Sequence, residues 1–293
     1  MPVYKRAWNL YSLFLSTIFG TAVVSLPISA TMLALFIAFL FDRNYAPSTV
    51  NTYVSSLGYS HKLYNLPNPA RVFFVAQMLK GYSKVGFRLD SRLPITLPIL
   101  HKLIVAFDSV TRTPYEAALY KAMVSLAFHA FLRVGEMTTR PGSHDGLSLQ
   151  LHQLTEMVDS TRTVVAFKLT FLHYKHSYNQ PAFSIIIHRC DSFCPVQILL
   201  KFLQTRGTAP GPLFISGNGL AISRDNFCQY LHRALVHCKL DSSRYKGHSF
   251  RIGAASHAAA QGLSDSQIRI LGRWKSNAFL RYIRVNSFSA PTE

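Results

Sequence analysis

Residues 247–284 read GHSFRIGAASHAAAQGLSDSQIRILGRWKSNAFLRYIR, a stretch that begins with a histidine and an arginine one helical turn apart. These two residues, His248 and Arg251, project from the same face of a predicted helix. Trp274 comes after a run of glycine and alanine, and Tyr282 follows within the motif Arg-Tyr-Ile-Arg. The stretch therefore combines a phenol with imidazole and guanidinium groups, which is what an enzyme needs to hold a phosphodiester and attack it.

Attack on a phosphodiester by a phenol sets several chemical requirements. A phenol has a pKa of about 10, so it needs a base or a cationic setting at neutral pH. Negative charge grows on the non-bridging oxygens of the five-coordinate phosphate, and planar guanidinium groups suit that charge better than lysines. The departing 5′ oxygen takes a proton from a lysine or a histidine. Because such cations can act without a metal ion, we expect neither a cofactor nor a metal.

The order of these residues, the small-residue run and the closing Arg-Tyr-Ile-Arg resemble the C-terminal half of tyrosine recombinases, the phage-integrase superfamily. Within it, LGRWKS followed by RYIR is most similar to the enzymes of DIRS-type retrotransposons. The resemblance implies a site-specific DNA recombinase or integrase of mobile-element origin, which cleaves and rejoins DNA through a 3′-phosphotyrosine intermediate. It also implies double-stranded DNA as the partner, a homo-oligomer (dimer or tetramer) on that DNA, and no small-molecule substrate.

The resemblance assigns a role to each residue of the motif. Tyr282 is the nucleophile, His248 manages the proton of the tyrosine, and Arg251 holds the scissile phosphate. Trp274 stands where many members carry histidine and some carry tryptophan, and its indole N–H can donate to the phosphate. For either aromatic residue, ordinary packing in the core is the alternative interpretation.

A second arginine is expected upstream, and Arg133 fits this role in the segment FLRVGE, which follows a long apolar stretch. The first arginine of the family lies in a similar setting. A helix C-terminal cap, favoured by the helix dipole, would also explain Arg133. Glu136 occupies the place where the family carries an acid that orients active-site groups, or it is an ordinary surface acid.

The general acid is expected on a β-hairpin in this family. Residues 162–169 and 182–188 are rich in Val, Ile, Phe and Thr and flank a polar turn, which predicts such a hairpin. Lys168 lies within the first strand and Lys175 lies near the turn. A lysine shortly before the second strand resembles the layout of the related transposon enzymes, so Lys175 is preferred as the proton donor and Lys168 is the alternative.

The composition is strongly basic. The chain has 293 residues, with 31 Lys and Arg against 13 Asp and Glu, which gives a net charge of +18. A duplex carries about one negative charge per ~1.7 Å, so such a protein can bind nucleic acid through phosphates and counterion release. The basic residues are spread along the chain, so the folded surface itself must be positive. On charge alone, a merely soluble basic protein or one at a membrane surface would also fit.

Cysteine usage and hydropathy bear on the cellular compartment, on a zinc site and on a membrane span. Four cysteines and no signal peptide at the start favour a reducing intracellular compartment, nuclear in a eukaryote and cytoplasmic in a bacterium. Cys190 and Cys194 lie close to His188, but a second ligand pair at tight spacing is missing, which argues against zinc. The apolar run Met32–Phe41 is far shorter than the ~20 residues that span a bilayer, so a buried helix is expected there.

Three segments follow one another along the chain. Residues 1–85 predict one helix after another. Residues 86–98 (GFRLDSRLPITLP) predict a linker, because they combine glycine, prolines and mixed charge. Residues 99–293 predict helices around the hairpin, including a last helix over 277–284. The predicted fold class is mainly α with a small β-hairpin or sheet, and the resemblance implies a helical core-binding domain followed by an α+β tyrosine-recombinase catalytic domain.

Two other function classes remain open at this point. A type IB topoisomerase uses the same chemistry on a single duplex. A domesticated DNA-binding protein with little catalysis would carry the same basic charge. The signature positions of the family are all filled, which favours a recombinase over both alternatives; they are Arg133, Lys175, His248, Arg251 and Tyr282.

Overall fold

The computed structural model describes residues 2–86, 90–139, 148–172, 174 and 181–284 of the protein. The chain divides into two compact units, Met1–Asp90 and Ser91–Glu293. Both units are mainly helical, and the second also contains a small antiparallel sheet. The predicted fold class, mainly α with a small sheet, is therefore confirmed.

The described part of the first unit is a group of helices around an aromatic core. Its helices are α1 (Pro2–Phe19), α2 (Ala30–Asp42), α3 (Pro47–Leu63) and α4 (Phe73–Val85), with a 3₁₀ turn at Pro69–Arg71. The hydroxyl of Ser29 accepts a hydrogen bond from the N–H of Met32 at 3.2 Å and so caps the start of α2. The rings of Tyr11 and Phe36 meet edge to face with centroids 5.2 Å apart, which joins α1 to α2.

Helix α2 is apolar on several faces because it is buried in this core. Its buried residues are Leu33, Phe36, Ile37, Phe39 and Leu40. A helix that is hydrophobic most of the way round is typical of such a position. Within the part of the chain that the structure describes, no helix has both the length and the apolar character needed to cross a membrane.

The second unit is built around a central helix. Its helices are α5 (Leu97–Val110), α6 (Pro114–His129), α7 (Val134–Met137), α8 (Pro195–Arg206), α9 (Arg224–His237), α10 (Ser249–Ala260) and α11 (Asp265–Leu271), with 3₁₀ helices at Leu151–Gln153 and Asn277–Arg281. The hydroxyl of Thr113 caps α6 by accepting from the N–H of Glu116. Nearly every residue from Ala117 to Phe128 is buried, so α6 forms the middle of the core.

The sheet contains three described strands in the order β1 (Leu154–Val158), β2 (Val164–Phe171) and β3 (Phe183–His188), all antiparallel. Strands β2 and β3 correspond to the two strands predicted from the sequence. Strand β1 was not predicted, because four of its five residues are exposed and its sequence LTEMV has no alternating apolar face. Pairing with β2 at the sheet edge, rather than burial, defines this strand.

The second half of the predicted linker packs within the second unit. The N–H of Leu93 donates to the carbonyl of Arg244 at 2.9 Å, and the N–H of Ile95 donates to the carbonyl of Ser249 at 3.0 Å. Ile95 is fully buried. A Cβ on Gly253 would lie 1.8 Å from the carbonyl oxygen of Ile95, so the small-residue run on α10 is what lets this segment approach.

The end of α6 differs from the prediction. The interpretation of Arg133 as a C-terminal cap places it at the end of the helix over the apolar stretch, whereas α6 ends at His129 and the backbone turns left-handed at Phe131, with φ of 51°. Arg133 therefore does not cap the C-terminus of the apolar helix. It precedes α7 and occupies the N-cap position of that short helix.

Candidate active site

The site begins where α7 joins Arg133 to Glu136. The carboxylate of Glu136 accepts from the backbone N–H of Arg133 at 2.9 Å and from the Nη1 atom of Arg133 at 3.1 Å. A glutamate at the third position of a helix commonly bonds back to the N-cap in this way. Its other effect is to hold the guanidinium of Arg133, which stays partly open to solvent with 24% of its side-chain surface exposed.

A second arginine, Arg273, also pairs with Glu136 and completes this ion cluster. Its Nη2 atom lies 2.8 Å from Oε2 of Glu136, and its side chain is only 1% exposed. The guanidinium also lies 4.0 Å from the centroid of the Phe171 ring. Burial lowers the pKa of Arg273, and the neighbouring Glu136 raises it. Arg273 was not predicted as a site residue, and the signal available for it was its place in LGRWKS, directly before Trp274.

Arg251 is fully buried at the centre of the site. Its Nη1 atom donates to the carbonyl of Phe131, and its Nη2 atom donates to the carbonyl of Gly272 at 2.7 Å. The left-handed turn at Phe131 thus contributes a carbonyl to the site. Burial first, and then repulsion from Arg133 and Arg273, lower the pKa of Arg251 to about 9, so the guanidinium remains protonated at neutral pH.

Two aromatic rings cover Arg251. Its Cζ atom lies 4.2 Å from the centroid of the Trp274 ring and 5.7 Å from that of the Tyr282 ring. In this arrangement the two rings and the carbonyls of Phe131 and Gly272 surround the guanidinium of Arg251, and its contact with a phosphate stays a prediction. Its Nε atom is buried and has no hydrogen-bond partner among the described residues, and the same is true of Nε of Arg273.

His248 lies beside the tyrosine. It is the N-cap residue of α10, and its ring lies 6.2 Å from the Tyr282 ring, centroid to centroid, with 25° between the planes. Burial is the main cause that lowers the pKa of His248, and the charges of Arg92 and Arg251 lower it further. The imidazole is therefore neutral at neutral pH and can accept a proton.

Tyr282 is half-buried and lies just beyond the last helical segment. The prediction of a helix over 277–284 is wrong, because a 3₁₀ helix covers only Asn277–Arg281. The reason lies on α10: the hydroxyl of Ser256 donates to the carbonyl of Tyr282 at 3.3 Å and accepts from the N–H of Arg284 at 2.7 Å. These bonds take the place of helical ones and fix the tyrosine backbone. Ser256 was not predicted as a site residue, because it is one small residue in a run of small residues.

Trp274 packs against the tyrosine and the core. Its ring centroid lies 5.1 Å from that of Tyr282 and 6.3 Å from that of Phe131. A Cβ on Gly272 would lie 1.5 Å from the Trp274 ring, so glycine is required at that position. Trp274 thus combines the packing role with a place next to the candidate nucleophile.

Only one of the two candidate lysines lies among the described residues. Lys175 lies outside the described residues. Lys168 lies on β2, where it is exposed and is paired in register with Thr155 of β1 and Ile186 of β3. The choice of Lys175 over Lys168 stays a prediction.

The cysteines near β3 show a local turn. The N–H of Cys190 donates to the sulfur of Cys194 at 3.5 Å, and Cys194 is the N-cap residue of α8. The described residues contain no group of three or more His, Cys, Asp or Glu side chains arranged to hold a metal ion. All four cysteines are free thiols.

Comparisons with known proteins place this fold. No protein-family model and no curated protein matches the sequence. The chain is similar to the solved structure of the XerH site-specific recombinase bound to palindromic difH substrate in a post-cleavage complex, with a TM-score of 0.66 and 15% identity over 94% of this chain and 75% of that one.

Two integrases are similar over most of this chain. A lambda integrase dimer bound to a COC′ core site matches with a TM-score of 0.59 and 15% identity, over 94% of this chain and 70% of that one. The Tn1549 transposon integrase in complex with circular intermediate DNA matches with a TM-score of 0.59 and 11% identity, over 96% of each chain. Identities this low show the fold alone. The chain therefore has the tyrosine-recombinase fold that its sequence motif predicted.

Proposed function

We propose that the protein is a DNA strand-transferase, a site-specific recombinase or integrase in which Tyr282 bonds covalently to DNA. One observation carries the proposal: the Tyr282 ring lies against both the imidazole of His248 and the guanidinium of Arg251. The fold supports it, because the similar structures include recombinases and integrases bound to DNA. The net charge of +18 suits a DNA partner.

In the proposed cleavage step, the phenolic oxygen of Tyr282 attacks the phosphorus and its proton passes to His248. The bond from phosphorus to the 5′ oxygen breaks, and Lys175 gives that oxygen its proton. Strand rejoining reverses the step: a 5′-hydroxyl gives its proton to Lys175 and attacks the phosphorus of the 3′-phosphotyrosine, the bond from phosphorus to the phenolic oxygen breaks, and His248 returns the proton to the phenol. The phosphotyrosine conserves the bond energy, so the exchange needs neither ATP nor a metal ion.

Arg133 and Arg251 are proposed to stabilise charge on the non-bridging oxygens. Arg133 is already partly exposed, whereas Arg251 lies beneath the rings of Trp274 and Tyr282. Binding of DNA must therefore shift this aromatic layer before Arg251 meets the phosphate. The unpartnered Nε atom of Arg251 supports an anionic ligand, because a buried donor without a partner costs about 1–3 kcal/mol.

The finer features of the proposal come from the sequence motif. LGRWKS followed by RYIR favours an enzyme of a mobile element similar to DIRS-type retrotransposons, which would act in the nucleus in a eukaryotic host and in the cytoplasm in a bacterial one. Assembly of a dimer or tetramer on DNA is proposed by analogy with the neighbours, one of which is described as a dimer on its core site.

The experiment begins with selection of bound duplexes from a random library, which supplies a target site. A labelled suicide duplex with a nick in that site is then incubated with the protein and resolved by denaturing electrophoresis. We expect a slowly migrating covalent band with the natural protein and none with Tyr282→Phe, because only the phenolic oxygen can form the bond. Duplex binding by Tyr282→Phe should stay within a few-fold of normal.

A matched control is Tyr59→Phe, which removes a phenol from an exposed position on α3 and should leave the band unchanged. A band that persists in Tyr282→Phe would place the nucleophile elsewhere. Tight binding without any band would indicate a domesticated DNA-binding protein. Relaxation of plasmids that lack the selected site would indicate topoisomerase activity.

A further inference from the structure

A cavity lined by cationic side chains adjoins the candidate active site. Its volume is about 330 Å³, and His248 forms part of its wall. The side chains of Arg92, Arg224, His232 and Lys246 also line it, and none of its lining residues is acidic. The cavity is therefore strongly basic and shares a residue with the proposed reaction centre.

The walls come from three parts of the second unit that are fixed to one another. Helix α9 contributes Arg224 and His232, and the loop before α10 contributes Lys246. The N–H of Lys246 donates to the hydroxyl of Ser249 at 3.0 Å, which holds that loop on the start of α10. Arg92 comes from the packed segment whose backbone pairs with the same loop through Leu93.

The electrostatics of the cavity favour an anion. Apolar side chains, including Leu231 and Leu235, form its base, and charges act more strongly beside such walls than in open water. The guanidiniums of Arg92 and Arg224 both act on His248, since both help to lower its pKa. Two planar guanidiniums and an ammonium match the donors that proteins use to bind phosphate.

We propose that this cavity binds a phosphodiester of DNA that neighbours the one attacked by Tyr282. The inference rests on the proposed function for the identity of the anion, because His248 is common to both sites. Its consequence is that DNA is gripped at two adjacent phosphates, one beside the nucleophile and one between α9 and the loop before α10. The second contact fixes the strand along its length.

Cys228 lines the cavity and provides a natural reporter, because it is an exposed free thiol. We expect an anionic methanethiosulfonate reagent to modify Cys228 several-fold faster than a cationic one, with modification at each cysteine followed by mass spectrometry. Duplex DNA should slow the modification of Cys228. Cys190 is the control, since it is exposed and lies next to Asp191, and it should show neither the preference nor the protection.

Variants of the cationic wall test the contact itself. Arg224→Gln and Lys246→Gln should each lower the ratio of the rates at which the anionic and the cationic reagent modify Cys228. Each should also lower the slope of log affinity against log salt concentration by about 1, as expected for the loss of one phosphate contact. Lys201→Gln is the control, because Lys201 is exposed on α8 and lines a different cavity.

The outcomes separate this inference from the proposed function. Equal reaction of Cys228 with the two reagents, or DNA binding that leaves Cys228 unprotected, would overturn the phosphate site even if the covalent band at Tyr282 forms. Protection of Cys228 and the altered salt slopes require no strand cleavage. They would therefore support the phosphate site even if the covalent band is absent and the recombinase proposal fails.

Discussion

Two groups of basic side chains in the second unit, one of buried arginines and one of partly buried histidines, respond differently to removal from water. In the candidate site, Arg251 and Arg273 stay charged, because Glu136 and backbone carbonyls face them. At the end of α6, His129 lies near the histidines His257 and His101. Burial first, and then those two histidines, lower the pKa of His129 to about 4, so it is neutral at neutral pH.

The difference indicates which buried basic groups are kept for their charge. Burying an ion pair is costly, and a neutral side chain is often as stable in the same place. His129 avoids the cost by giving up its proton. The arginine group retains both its charges together with the offsetting carboxylate of Glu136, which is what the proposed binding of a phosphate requires.

The largest predicted effect tests the acid of the arginine group. Glu136→Gln keeps the size of the side chain but leaves the buried guanidinium of Arg273 without its carboxylate. We expect the free energy of unfolding to fall by about 3–5 kcal/mol, measured by urea denaturation at neutral pH. Glu156→Gln, at an exposed position on β1, should change it by less than about 0.5 kcal/mol. A loss below about 1 kcal/mol at Glu136 would mean that the carbonyls alone compensate the arginines.

The next effect concerns the covered arginine. Arg251→Lys keeps a positive charge but replaces a planar two-pronged donor with a point charge. We expect strand cleavage on the suicide duplex to slow about 100-fold, as for the loss of one donor to a transition-state oxyanion. DNA affinity should change only a few-fold. Arg269→Lys, exposed on α11, is the control and should cleave normally. Normal cleavage by Arg251→Lys would make Arg251 a structural residue.

The histidine group predicts a loss of stability in acid. The folded pKa of His129 is about 4, below the 6.5 of the model compound, so the unfolded chain takes up a proton first as the pH falls. Stability is unaffected above pH 6.5 and should drop by at most about 3 kcal/mol by pH 4. His129→Gln should flatten the profile of unfolding free energy against pH over this range, whereas His152→Gln, at an exposed site, should not. An unchanged profile in His129→Gln would place the acid sensitivity elsewhere.

Much of the fold and the order of the motif could be predicted from the sequence. The apolar run Met32–Phe41 located α2, and β-branched residues located β2 and β3, because these signals are local. Strand β1 escaped because its pairing with β2 defines it, and its own residues are mostly exposed. The packing of the second half of the predicted linker was not predicted for a similar reason. The alternation of Leu93 and Ile95 is too short to indicate an extended segment among the neighbouring prolines.

Several residue types of the candidate site could be predicted from the sequence, whereas the contacts between their side chains could not. A motif places His248, Arg251 and Tyr282 in order along the chain, and the structure brings their side chains together. Burial of Arg251 depends on hydrogen bonds to the carbonyls of Phe131 and Gly272. Every residue has a backbone carbonyl, so the sequence does not show which of them will face the arginine.

The smallest predicted effect tests a contact of this hidden kind. Ser256→Ala removes the hydroxyl that bonds to the carbonyl of Tyr282 and to the N–H of Arg284. A neutral hydrogen bond contributes about 0.5–1.5 kcal/mol, so we expect the free energy of unfolding to fall by about 1 kcal/mol.

If Ser256 positions the nucleophile, the rate of cleavage at saturating DNA should fall about 10-fold, which corresponds to ~1.4 kcal/mol of activation free energy, while DNA affinity stays unchanged. Ser256→Thr retains the hydroxyl and should recover most of the rate, whereas Ser266→Ala, exposed on α11, should have no effect. A loss of stability without a change in the rate would show that Ser256 only anchors the chain. The split between rate and affinity therefore decides whether α10 merely carries His248 and Arg251 or also sets the position of the tyrosine beside them.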